Sequence, residues 1–226
     1  SRKILIQKLQ LSEDYIEGDS SYKHAYFHRL YEMIKVRLIE GASEAEILQK
    51  RGLFLGNAKT DSIIGDSVGM QKKLFMANKL TKLISAENEY MNGDIGIDKV
   101  HAICLDNAIY DQINMNTFNF VNASFDDLLF RYPTDQEFYQ SFDMIEYNLS
   151  RILFNKPGQN KGDYIEILTN SAGFYEGLIR WAFVTLLARE PDDKEISALL
   201  FTFTNDKDFQ KVQEYIMISD EYANFN

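Results

Sequence analysis

Apolar side chains recur at three- and four-residue steps through Tyr22, Tyr26, Leu30, Met33, Ile34 and Leu38, which places them on one face of a helix from about Ser20 to Glu40. Gly41 follows in the position of a helix-ending glycine. Ser43-Glu44-Ala45-Glu46 has the form of a capping box, with Ser43 as the cap and Glu46 reaching back, and predicts a short helix through Leu48. Between Gly52 and Gly69 the chain turns rich in Gly, Asn, Asp and Ser, the pattern of an irregular connection. A second long helix is expected over about Met70 to Tyr90, with Leu74, Phe75, Leu80, Leu83 and Ile84 toward the core. The turn cluster from Asn92 to Asp98 leads to a helix carrying Val100, Ile103, Cys104, Leu105, Ala108 and Ile109, for which Asp98 is the expected cap. A polar break at Asn114-Met115-Asn116 precedes a region of different character.

That region repeats itself. Leu128-Leu129-Phe130-Arg131-Tyr132-Pro133-Thr134-Asp135-Gln136-Glu137 aligns without a gap with Leu186-Leu187-Ala188-Arg189-Glu190-Pro191-Asp192-Asp193-Lys194-Glu195, and in the same register Phe125 faces Phe183. Downstream, Ser171 to Phe174 matches Ser219 to Tyr222 after a longer insert in the first copy around Pro157-Gly158-Gln159-Asn160. Each shared position has a mechanical role. The leucine pair ends a buried helix, and proline cannot continue it. Thr134 and Asp192 cap the next helix, and Glu137 and Glu195 complete the boxes three residues on. Arg131 and Arg189 stand where they can bond the last carbonyls of the first helix. The serines of the two tails are expected to start a last short turn closed by an aromatic plug.

The motif Leu-Leu-x-Arg-x-Pro-x-Asp-x-Glu, followed by Ser-x-Glu-Tyr, resembles the helical hairpin of a bacterial domain family of unknown function found in secreted, surface-layer and envelope proteins. It is also similar to the helical core of phycobilisome linker polypeptides. The resemblance covers about the last hundred residues. The first copy departs from it, with Tyr132 beside the proline and no glutamate in Ser171-Ala172-Gly173-Phe174. The resemblance brings no catalytic residues; it implies a scaffold or interaction role and an envelope or periplasmic location rather than a cytoplasmic one.

Composition narrows the partners. The net charge is -10, which repels a phosphate backbone, and Lys72, Lys73, Lys79 and Lys82 on one helix are followed by Glu87 and Glu89, so nucleic acid is not expected. Cys104, the single cysteine, permits no internal disulfide. No apolar run approaches the roughly 20 residues of a membrane span, and the start Ser1-Arg2-Lys3-Ile4 has no apolar signal core. Membrane association is therefore expected only through an anchor ahead of Ser1.

Few residues suggest chemistry. His24 and His28 sit one helical turn apart with Glu32 a turn further on, a set that can bind zinc or another divalent metal, although the glutamate of H-E-x-x-H is missing. Asn92, Asp94 and Asp98 lack the rest of a calcium loop, and Cys104 among Ile103, Leu105 and Ala108 reads as a small core residue. Aromatic residues crowd the stretch from Phe118 to Tyr147. Most are expected in the core, with Phe118, Phe120, Tyr132 and Tyr139 as candidates for a partner surface.

The sequence therefore predicts an all-α helical bundle: a helical N-terminal region, 1–115, packed as one unit with a duplicated helical-hairpin region, 116–226. The expected function is a non-enzymatic interaction or scaffold subunit of a larger envelope-associated assembly, binding other protein subunits and no cofactor. The rival reading is a ligand-binding or hydrolytic enzyme with a site assembled from scattered polar residues.

Overall fold

A computed structural model of the chain describes residues 1–17 and 20–224. It is an all-α bundle with two short antiparallel ribbons. In chain order the elements are α1 (Arg2–Leu11), β1 (Tyr15–Glu17), β2 (Ser20–Ser21), α2 (Tyr22–Ile39), α3 (Glu44–Ile64), α4 (Ser67–Asn92), α5 (Ile97–Leu105), α6 (Ala108–Asn114), α7 (Thr117–Leu129), α8 (Asp135–Tyr147), β3 (Arg151–Leu153), β4 (Lys156–Gly158), α9 (Lys161–Thr169), α10 (Ala172–Leu187), α11 (Asp193–Asp206) and α12 (Phe209–Met217). No described helix is long and apolar enough to cross a membrane.

One hydrophobic core runs through both halves of the chain. It joins Leu30, Ile34 and Leu38 of α2 and Leu80 and Leu83 of α4 to Phe125 of α7, Phe174 and Ile179 of α10, and Phe209 and Ile216 of α12. Helix α1, absent from the expectations, packs on α2 and α12. It brings the two ends of the chain together: Lys3 pairs with Glu214 at 2.8 Å, and Arg2 with Asp220 at 2.9 Å.

The duplication proves to be a unit of three helices, α7–α8–α9 followed by α10–α11–α12. The residue between the leucine pair and the arginine, Phe130 or Ala188, ends its helix in the left-handed region at φ 55° and 54°. Both predicted capping boxes form, Thr134 with Glu137 and Asp192 with Glu195. The arginines act differently from expectation. Arg131 makes a bidentate pair with Glu137 at 2.6 and 2.8 Å, and Arg189 does the same with Glu195 at 2.7 and 2.9 Å. Each lies over its repeat-matched phenylalanine, Arg131 over Phe125 and Arg189 over Phe183. The arginine, glutamate and phenylalanine shared by the two copies thus clamp successive helices.

The carbonyls of the last turn of α7 are instead served from the other half of the chain. Arg37 of α2 donates to Asp127 O at 2.7 Å and Asp126 O at 3.3 Å, with its guanidinium over the Phe130 ring. Glu221 explains the extra glutamate of the second tail: it accepts from Arg189 at 2.6 and 2.7 Å. In the first copy Gly173 holds that place, and a Cβ there would touch Leu129. Ser171 caps α10, and Phe174 is the buried plug, but Tyr222 in the second tail is exposed. The insert of the first copy folds as the β3–β4 ribbon, pinned by buried Leu153.

Three further expectations are corrected. The residues from Gly52 to Gly69 form the greater part of α3 and the start of α4, with a tight turn only at Gly65 and Asp66. The expected helix of Val100 to Ile109 is two helices, because Asn107 caps α6 through Ile109 N and Tyr110 N. Asp98 caps nothing; α5 starts from Gly96, and Asp98 is buried and paired with Lys207 at 2.7 Å.

Candidate functional site

Helices α3 and α4 form a long antiparallel hairpin. The base of α3 reaches the core through Ile47 and Phe54. Beyond Phe54 it runs ten more residues to Ile64, about 15 Å at 1.5 Å per residue, and α4 is the element against which α3 chiefly packs. The outer part of the hairpin therefore projects as an arm. Its inner seam is held by Ala58 and Ala77, both buried, and by Asp61, which pairs with Lys73 across the helices. Asp66 caps α4 through Gly69 N at 2.9 Å and accepts no Cβ at Gly69, so the tip is tightly built.

The outside of the arm is apolar and basic. Ile63 is 77% exposed, Ile64 71%, Val68 65% and Leu53 63%. Leu74 and Phe75, expected in the core, lie exposed here because α4 starts well beyond the core and reaches it only at Leu80. Residues 47–82 carry seven basic residues, Lys50, Arg51, Lys59, Lys72, Lys73, Lys79 and Lys82, against Asp61 and Asp66. That is a net of +5, which leaves -15 for the rest of a chain whose total is -10. Three of the cations come from α3 and four from α4. At the root of the arm a groove of about 300 Å³ is lined by Phe75, Lys79, Lys82, Lys99, Asp106 and Glu166. Lys79 lies over the Phe75 ring and pairs with Asp106 at 2.6 Å.

A second surface lies on α7 and α8. Phe118 and Tyr139 each contact Phe138, and Phe142 contacts both Phe138 and Tyr147. Phe118, Tyr139 and Tyr147 are exposed; Tyr132 is exposed too but lies in the turn between α7 and α8 and is not part of this cluster. Phe120 is not part of this surface. It is buried against Tyr110 and Tyr164, because two residues along a helix turn it some 200° away from Phe118.

A third group is made of potential metal ligands. Helix α2 carries His28 and Glu32 one turn apart, and α4 brings Glu87 against them. His28 Nδ1 lies 3.0 Å from Glu87 Oε1. Glu32 pairs with Lys35 at 2.6 Å. His24 stacks on His28, with ring centroids 6.0 Å apart, and stands outside the group of three. Glu87 was invisible to the sequence reading because it lies on another helix, 55 residues beyond Glu32.

His101 is buried; its Nδ1 bonds Ile97 O at 2.8 Å and its ring meets the edge of Phe174. Burial pushes its pKa down to about 4. Burial likewise pushes the Cys104 thiol up to about 12, which leaves it an inert core residue. The Tyr90 and Tyr175 hydroxyls are buried with no hydrogen-bond partner among the described residues. No family model, curated protein or solved structure matches this chain.

Proposed function

We propose that the protein is a non-enzymatic interaction subunit whose α3–α4 arm docks on a partner protein in an envelope-associated assembly. The observation that carries this reading is the arm itself: a projecting, well-packed helical hairpin with an apolar tip, rising from a stretch, residues 47–82, whose net charge is +5 with most of its cations at the root. Apolar side chains held in water at the end of a rigid projection gain by burial against another surface. The partner that fits is a protein presenting an apolar groove with an acidic rim, which supplies burial for Ile63, Ile64 and Val68 and charge for the lysines. A phosphate backbone would meet the same cations but also the field of a body carrying -15, and it offers nothing apolar to the tip. The envelope location rests on the family resemblance of the C-terminal repeat.

The test is affinity purification of the full chain from its native cell in mild detergent, alongside the triple variant Ile63→Asp, Ile64→Asp, Val68→Asp. These positions are exposed, so the variant keeps its fold and Tm. A defined protein should co-purify with the wild type in fixed ratio and be lost from the variant, with affinity falling roughly 100-fold or more. Recovery of the wild type as a lone monomer, or with nucleic acid, overturns the reading.

A further inference from the structure

The His28–Glu32–Glu87 group has the makings of a site independent of the arm's apolar tip. One ligand atom from each residue lies within 4.8 Å of the other two. The donors come from two helices already packed on each other, α2 and α4. We propose that these three side chains bind one divalent transition-metal ion, zinc by preference, with solvent completing the coordination. An imidazole nitrogen with two carboxylates is a borderline donor set that suits zinc better than magnesium or calcium, which favour oxygen alone.

Two carboxylates balance the ion's charge. Zinc-to-ligand bonds of about 2.0–2.2 Å place neighbouring donors roughly 3.3–3.6 Å apart. His28 Nδ1 and Glu87 Oε1 already stand 3.0 Å apart, and on binding the imidazole coordinates through Nδ1 as the neutral ring with its hydrogen on Nε2. Glu32 has to swing its carboxylate inward by about an ångström, which side-chain rotation supplies. Lys35 holds one oxygen of Glu32 and leaves the second for the ion. His24, stacked parallel on His28, is not a ligand. The ion would tie the body of α4 to α2 and so fix the root of the arm.

The experiment is titration of the chelator-treated full chain with zinc chloride by calorimetry, and with cobalt chloride by visible absorption. Wild type should take up one ion per chain, with a cobalt spectrum in the visible and a Tm rise of about 5–10 °C at hundredfold excess over Kd. Glu87→Gln and His28→Ala should each weaken uptake by about 100-fold or more while keeping the wild-type Tm in EDTA, which shows that they fold. His24→Ala should bind within about threefold of wild type. No uptake by the wild type, unchanged uptake by Glu87→Gln, or loss of uptake in His24→Ala would each overturn the assignment.

Discussion

Acidification should cost this fold roughly 2–3 kcal/mol through His101 alone. In the folded chain burial holds the imidazole neutral down to about pH 4, whereas an unfolded histidine takes its proton near 6.5. The folded pKa is the lower one, so between the two values the unfolded chain binds more protons, and stability falls as the pH falls. The full difference corresponds to roughly 3 kcal/mol, most of which is lost between pH 7.5 and 4.5. Asp127, which lines the same small cleft, works in the opposite direction. Burial raises its carboxyl to about 6 against the pull of the Tyr110 hydroxyl and Arg37, so the fold gains stability as Asp127 protonates. The wild-type curve therefore mixes the two, and a variant is needed to separate them.

His101→Asn is the informative change. Asparagines elsewhere in the chain donate to the carbonyl four residues back, as Asn107 does to Ile103 and Asn114 to Tyr110, so the bond to Ile97 O can be kept while the titration is removed. Loss of the ring that packs on Phe174 should cost about 2–3 kcal/mol at neutral pH. That gap should close almost completely by about pH 4.5, because wild type carries the penalty of a buried imidazole and the variant does not. Urea unfolding followed by fluorescence of Trp181, the single tryptophan and a neighbour of His101 in that cleft, measures it. A gap constant within about 0.5 kcal/mol across the range would refute the argument.

Three further outcomes follow from the packing. Gly52 and Gly56 lie inside α3 with open space where a Cβ would sit, so the double alanine variant should gain about 1–2 kcal/mol in urea unfolding; an irregular segment would show no such gain. A Cβ at Gly177 would stand 2.6 Å from Leu128 O and 2.8 Å from the Phe130 ring, so Gly177→Ala should destabilise by roughly 1–3 kcal/mol, and an unchanged Tm would show that α7 and α10 do not approach so closely. Arg131 holds the Glu137 carboxyl down at about 2, with Thr134 assisting. In Arg131→Ala that pKa should rise toward 4.5, read by carboxyl carbon NMR; the stability it contributes is present above about pH 4.5 and lost as the pH falls toward 2, and a Glu137 that titrates unchanged would dissolve the clamp.

The local signals were legible where one stretch of chain carries the whole cause. Ser43 with Glu46, Thr134 with Glu137 and Asp192 with Glu195 satisfy backbone groups within four residues, and each box forms where its spelling places it. The repeat was legible for the same reason: the leucine pair, the arginine, the proline and the capping residue act on a single helix junction. What the arginine does was already a tertiary matter, since Arg131 turns to Glu137 and leaves the end of α7 to Arg37, some ninety residues earlier in the chain. The stretch from Gly52 to Gly69 has the composition of a loop. Each internal glycine costs a helix about 1 kcal/mol, and only the pairing of Ala58 and Asp61 with α4 offsets that cost. The same pairing makes the arm and turns Phe75 outward, while the packing of α2 on α4 sets Glu87 beside His28. By itself the sequence determined which residues start and stop most of the helices. Only tertiary structure decided which helices lie side by side, and the candidate surfaces arise there because they are built from residues that only packing brings together.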